Sequence, residues 1–243
     1  MTASAPIPAL AGRSNSSGMI ARVIAQTALL LVVMGAVLFF AAGDWHWPQA
    51  WIFLGEFGVC SLAVCGWLLR HDPELLKTRL SAPVHREQMP WDRIFMLAIF
   101  VAFFGWMVLI GLDARRFEWS EMPLWVQPLG AVLIALGMVA IWQTFRYNTF
   151  AAPQVRIQAE RGHRVITEGP YRYVRHPMYA GSLLWLLGTP LLLGSWWGAA
   201  AVPLLIAGLA PRAIGEERML RRELSGYDEY AARVRWRFIP GIW

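Results

Sequence analysis

Charge is scarce in this sequence. Only 16% of its 243 residues are Asp, Glu, Lys or Arg, where a soluble domain of ordinary composition carries about a quarter. No polar stretch is long enough to fold as a separate soluble module. Cysteine is scarce too: Cys60 and Cys65 are the only two. Both lie in an apolar run with a spacing that matches no metal or redox motif, which excludes a disulfide framework. The chain lacks GxGxxG, a P-loop, GxSxG and HExxH, and it has no paired metal-ligand spacing, so the familiar nucleotide-binding, serine-hydrolase and zinc-peptidase readings are excluded and no metal is expected.

What remains is apolar. Hydrophobic residues make up 57% of the chain, mean hydropathy is +0.42, and there are 14 tryptophans, a side chain that favours the two interfaces of a bilayer. These numbers predict an all-α integral membrane protein. The formal net charge of +6 does not point to nucleic acid in that setting, because basic residues of membrane proteins set topology and meet anionic lipid.

In chain order, residues 1–18 are rich in Ala, Pro, Ser and Gly and are expected to be a disordered N-terminus. Residues 19–123 then form an N-terminal transmembrane region. About 20 apolar residues suffice to cross the hydrocarbon core, and spans are expected at 19–42, 51–69 and 94–112. The loop at 70–93 carries Pro73, Pro83 and Pro90, which forbid one continuous helix, and residues 73–80 are expected to lie as a short amphipathic helix on the membrane surface. Glu56 falls inside the second span, where it either makes a polar contact in a cavity or sits near the membrane edge. A fourth span is expected at 124–145, with Gly130 and Gly137 on one face allowing close helix approach. Residues 179–211 are apolar but interrupted by Pro190, Gly194, Gly198 and Pro203, so two short helices, 179–193 and 196–210, should turn at Gly194-Ser195 as a hairpin. A charged helix should leave the membrane from Arg212 and break at Ser225-Gly226. The count is five or six membrane segments with a C-terminal helical tail.

Charge fixes the sides. Of all the lysines and arginines, only Arg115 and Arg116 fall in the turns after the first, third and fifth segments. The positive-inside rule then places both termini, the 70–93 loop, the 146–178 loop and the tail in the cytoplasm.

One polar, basic, turn-rich stretch interrupts this apolar chain, residues 158–180. It carries His163 and His176, and a hairpin later Arg212, Glu216 and Glu217 return to the same side. Arg212 and Glu216 are one helical turn apart and share a face. Gly169-Pro170 marks a tight turn, and Pro177 biases His176 towards extended geometry. On spacing alone this is either a two-part ligand site or ordinary interfacial chemistry, with Arg and Tyr anchoring to headgroups and His176 capping the next helix.

The segment Gly169-Pro170-Tyr171-Arg172-Tyr173-Val174-Arg175-His176-Pro177-Met178-Tyr179, followed by Glu216-Glu217-x-x-Leu220 and Tyr227-x-x-Tyr230-x-x-Arg233-Val234, resembles the isoprenylcysteine carboxyl methyltransferase family, part of a wider group of membrane phospholipid methyltransferases. The likeness covers residues 124–240 well and the first spans in hydropathy alone, so 124–243 is read as the catalytic region. It implies a methyltransferase that uses S-adenosyl-L-methionine on a lipophilic or small-molecule acceptor within membrane lipids, with an isoprenylcysteine-like carboxylate as the first choice. Carried over, Gln158, His163, Arg164, Val165, Ile166, Tyr171, His176, Pro177, Met178, Tyr179 and Glu216 would contact the cofactor, and Arg212 would act in catalysis beside the substrate carboxylate. Glu217 receives no role. Other readings stay open: methylation of a small thiol or lipid amine, a sterol-reductase-like enzyme using NADPH, or a non-catalytic membrane protein.

Overall fold

A computed structural model describes residues 11–81 and 89–243, and the described residues contain helices and no strand. The helices are α1 (Ala11–Ala42), α2 (Pro48–His71), α3 (Pro73–Arg79), α4 (Pro90–Gly111), α5 (Gln127–Tyr147), α6 (Pro177–Leu193), α7 (Trp196–Glu223) and α8 (Tyr227–Arg233). Five are long and apolar enough to cross a membrane: α1, α2, α4, α5 and α7, while α6 is apolar but has 17 residues. The all-helical membrane fold expected from composition is therefore present. Large apolar side chains on the outer faces, such as Val32, Val59, Leu97, Val101 and Leu204, are exposed, which is the surface lipid would cover.

Proline and polar caps set the helix starts. Proline occupies the first turn of α2, α3, α4, α5 and α6, where its missing N–H costs nothing. The Asp72 carboxylate accepts from Leu75 N at 2.9 Å to cap α3. The hairpin turns where expected: Gly194 takes a left-handed conformation (φ +85°) after α6, and Ser195 Oγ accepts from Gly198 N at 2.8 Å to begin α7. At that same end the buried Asp113 accepts from Ser120 and from Ser195 Oγ at 2.6 Å, tying the end of α4 to the start of α7.

The close approach expected of Gly130 and Gly137 is present between α5 and α6. A methyl group at Gly130 would lie 2.2 Å from Leu192 N, and one at Gly137 would lie 2.7 Å from the Gly181 carbonyl. Gly181 and Gly188 return the contact from α6, so α5 and α6 meet backbone to backbone along their length. This seam carries the chain from α5 through the polar loop and directly into α6.

Three expectations are corrected. The second arm of the hairpin does not stop at 210. α7 runs unbroken through Pro203 and Pro211 to Glu223, because ending a helix in an apolar medium strands several backbone groups, whereas a proline removes one hydrogen bond. Residues 11–18 are helical as the start of α1, and residues 1–10 of the predicted disordered segment lie outside the described residues, as does Pro83. Helix α3 does not lie open on the membrane surface. Leu75 and Leu76 are fully buried against Leu68, Phe145 and Ala151, and Arg79 fastens α3 to the loop above it by donating to the Ala151 carbonyl at 2.8 Å while covering the Phe145 ring.

Candidate functional site

The loop between α5 and α6, residues 148–176, folds over the end of the bundle with short 3-10 turns at Ala159–Arg161 and Gly169–Arg172 as its regular structure. Two glycines give it shape: Gly162 (φ +65°) and Gly169 (φ +57°) are left-handed, and Gly169 also presses on the Tyr147 ring, where a side chain would collide. Side chains then hold it down. Gln158 is fully buried, donating to the Phe150 carbonyl at 2.8 Å and accepting from Arg161 at 2.7 Å. Arg161 also binds Thr149 through its carbonyl and hydroxyl. The His163 ring stacks on Phe150 with centroids 4.5 Å apart, and its Nδ1 accepts from Gln158 N at 3.3 Å. Burial, and then the neighbouring Arg161, pull the His163 pKa down to about 4, which keeps the ring neutral and able to accept that bond at neutral pH.

Between this loop, the start of α6, the end of α7 and α8 lies an open cleft, which together with its mouth holds about 800 Å³. The structure brings to its walls His163, Arg164, Val165, Ile166, Tyr171, His176, Pro177, Met178, Tyr179 and Glu216. Two of the expected site residues are not brought there. Gln158 is spent on the loop itself, so its role is to shape the wall from behind. Arg212 also lies behind the wall: its guanidinium is buried, with Nε on Asp92 at 2.9 Å, Nη1 on the Tyr179 hydroxyl at 2.8 Å and Nη2 on the Pro153 carbonyl.

These contacts make a chain of orientation. Asp92, in the first turn of α4 and fully buried, accepts from both Arg212 and Val155 N, the latter at 3.1 Å. Arg212 donates to Tyr179, which leaves the Tyr179 proton for Glu216 Oε2 at 3.2 Å. The carboxylate of Glu216 is thereby aimed from the wall of the cleft. Glu217, one residue on, points the other way and is 3% exposed. Its Oε1 meets His176 Nε2 at 3.1 Å, Arg237 Nε at 3.1 Å and Arg175 Nε at 2.9 Å, the last a close ion pair without hydrogen-bond alignment. His176 is therefore not a side-chain cap of α6. The tail reinforces it, since Arg175 N and His176 N donate to the Trp236 and Arg237 carbonyls at 2.9 Å, and the Phe238 ring stands edge-on to His176 and Tyr179.

Tyrosine hydroxyls line the far side. Asn148 donates to the Tyr171 hydroxyl at 2.6 Å, and the Tyr230 hydroxyl donates to the Tyr171 carbonyl at 2.9 Å. Burial pushes Tyr171, Tyr227 and Tyr230 well above the usual phenol range, so all three are neutral. Tyr227 also lines the cleft, and its buried hydroxyl has no hydrogen-bond partner among the described residues. A buried donor without a partner is costly, and a ligand carrying hydroxyl or amino groups would complete it. Asp92, Asn148, Phe150, Arg175, Tyr227 and Tyr230 join the constellation without having been singled out as site residues from sequence. Tyr227 and Tyr230 did carry a signal there, as the YxxY of the tail.

Comparison with known proteins agrees with the resemblance read from the sequence. Residues 125–225 match the family model of phospholipid methyltransferases. A probable protein-S-isoprenylcysteine O-methyltransferase of Oryza sativa subsp. indica is 32% identical over 108 residues, 44% of this chain and 53% of that protein. The protein-S-isoprenylcysteine O-methyltransferase of Schizosaccharomyces pombe is 31% identical over 44% of this chain and 43% of its own length. The nickel-cobalt-cadmium resistance protein NccN of Alcaligenes xylosoxydans xylosoxydans is 27% identical over 52% of this chain and 57% of that protein. This chain thus matches about half the length of these curated relatives. Among solved structures, the eukaryotic intramembrane Ras methyltransferase ICMT superposes with a TM-score of 0.54 at 22% identity, covering 90% of this chain and 77% of that one. That likeness shows a shared membrane fold.

Proposed function

We propose that this chain is an integral membrane methyltransferase that uses S-adenosyl-L-methionine and methylates a lipophilic acceptor, with a carboxylate of isoprenylcysteine type as the favoured group. The observation that carries this reading is the cleft itself: an acid aimed inward, a free buried tyrosine hydroxyl beside it, and apolar walls, all at the edge of a membrane bundle. The isoprenylcysteine methyltransferases among the relatives supply the acceptor class.

The residues fit the cofactor's chemistry. Glu216 has the charge to meet its ammonium or ribose hydroxyls, and the Tyr227 hydroxyl is free to bond to it. Val165, Ile166, Met178 and Leu220 exclude water from the walls. When bound, S-adenosylmethionine would supply a sulfonium methyl group to a carboxylate oxygen, the methyl–sulfur bond breaking as the ester bond forms and S-adenosylhomocysteine leaving, so that no general base is needed. The protein's work is then alignment, a contribution of up to about 7–11 kcal/mol. The chain Asp92–Arg212–Tyr179–Glu216 does that work from behind the wall. Arg212 would meet an acceptor carboxylate directly only by exchanging one of its present partners, so Arg212→Lys, which keeps the charge and loses the planar fork, separates a positioning role from a binding one.

The decisive experiment is equilibrium binding of S-adenosylmethionine to the full chain in detergent, with NADPH as the comparison ligand. Binding of S-adenosylmethionine alone, weakened at least tenfold in Glu216→Gln, is expected. Preference for NADPH, or no binding by folded protein, would mean that the resemblance extends to fold and not to chemistry. The positive-inside pattern supports a cytoplasmic position for this cleft and for both termini.

A further inference from the structure

A second cavity of about 390 Å³ adjoins the cleft. It sits between the ends of α2 and α5 and the loop above them, with Arg146, Arg161, Arg164 and His71 in its lining and Asp72 as the one acid. The two cavities share Phe150, Arg164 and Ile166. On its other side it shares Trp67 with an apolar groove of about 340 Å³ that runs down between Cys60, Ala63 and Val64 of α2 and Ala135, Met138 and Trp142 of α5.

The two walls of the groove run in the same direction. Gln49 donates to Gln127 at one end, and the rings of Trp67 and Trp142 meet edge to face, 5.9 Å apart, at the other. Those indoles mark the boundary between the groove and the basic cavity, the level at which tryptophan sits in a bilayer interface. The charge above that line is only partly cancelled from within. Asp72 caps α3 and also lies 3.9 Å from Arg161, and Arg161 is further spent on the loop through Thr149 and Gln158, which leaves Arg146 and Arg164 as the basic groups that face the cavity. Arg146 is exposed, lies over the Trp142 ring at 5.0 Å, and makes a single 3.3 Å bond to Gln143. A basic cavity continuous with an apolar groove fits an amphiphile whose head is an anion and whose tail is a hydrocarbon chain. A free phosphate would gain nothing from the groove.

We propose that an anionic glycerophospholipid binds here, its phosphate between Arg146 and Arg164 and one acyl chain in the groove between α2 and α5. Arg164 and Ile166 wall both cavities, so an occupied lipid site steadies the loop that bounds the cleft. The proposal stands apart from the methyltransferase reading, and its test requires no turnover.

The full chain, equilibrated with equal amounts of phosphatidylglycerol and phosphatidylcholine, is measured by native mass spectrometry for retained lipid. Preferential retention of phosphatidylglycerol is expected. Arg146→Gln, a surface change outside the cleft, lowers that preference about fivefold, as expected for one basic side chain at an anionic surface. Val139→Trp, which fills the groove from its exposed rim, lowers retention of both lipids. Equal retention of the two lipids, or an Arg146→Gln protein that keeps its preference, overturns the proposal. Stoichiometric displacement of phosphatidylglycerol by an isoprenylcysteine analogue also overturns it, by assigning the groove to the acceptor.

Discussion

Tyr227 presents a buried hydroxyl to the cleft with no partner among the described residues, so removing that oxygen separates folding from binding. Tyr227→Phe is expected to leave thermal stability unchanged or slightly higher, because an unsatisfied polar group is lost, while weakening S-adenosylmethionine binding by up to about tenfold, one hydrogen bond's worth. Titration calorimetry together with a melting curve reads both. His163 makes a pH prediction. Its pKa lies at about 4 in the folded chain against 6.5 for the free side chain. The unfolded or opened loop therefore binds the proton more readily, and the stability contributed by the neutral ring is present above pH 6.5 and lost as pH falls towards 4. Protonation also removes the acceptor for Gln158 N. Tryptic cleavage after Arg164 should rise across that window, and His163→Gln should flatten the dependence. Sequence singled out His163 but could not supply the sign of its shift, which comes from the Phe150 ring and Arg161 packed against it. Asp92 shows the limit more sharply: it lies 120 positions from Arg212, and nothing local to a first-turn aspartate announces a partner so far away.

Among elements, the α5–α6 seam was legible and the end of α7 was not. Small residues seven apart on an apolar helix state their purpose in sequence, and the structure answers Gly130 and Gly137 with Gly188 and Gly181. Gly137→Leu is expected to force the seam apart and destabilise the protein by about 1–3 kcal/mol or more, as overpacking of a tight interface does. Because α6 begins at the site, the same change should reduce cofactor affinity, whereas the exposed Val139→Leu on the same helix should do neither. A denaturant titration in mild detergent checks the first claim and the binding assay the second. The boundary of α7 was missed because the chain turns charged at Arg212; the helix nevertheless runs on through Pro203 and Pro211, since the penalty that ends a helix in water is outweighed where no water is available to the freed backbone groups.

At the scale of the molecule, the described polar contacts gather at two ends of an apolar bundle. One end holds Asp44 with Arg115 and Asp113 with Ser195. The other holds Asp92, Arg212, Glu216, Glu217 and the loop. If the basic end is cytoplasmic, single cysteines placed in a Cys60→Ser, Cys65→Ser background at Arg235 and at Glu118 should react with a membrane-impermeant maleimide from opposite sides of sealed vesicles. Labelling of both from one side would overturn the topology.

Composition and periodicity by themselves determined that this chain is apolar and helical enough to enter a membrane, where four of its five long helices lie, and which helix face is smooth, while the choice of residues 158–180 as the candidate site rested on the family resemblance. The first three properties follow from transfer energies and local geometry, which are written residue by residue. The tertiary structure alone decided that Glu217 holds His176 while Glu216 faces the cleft, that Arg212 is turned towards Asp92, and that Gln158 braces the loop. Each of those outcomes depends on which of several nearby partners compensates a buried charge or amide, and that competition is settled only when distant segments have packed together.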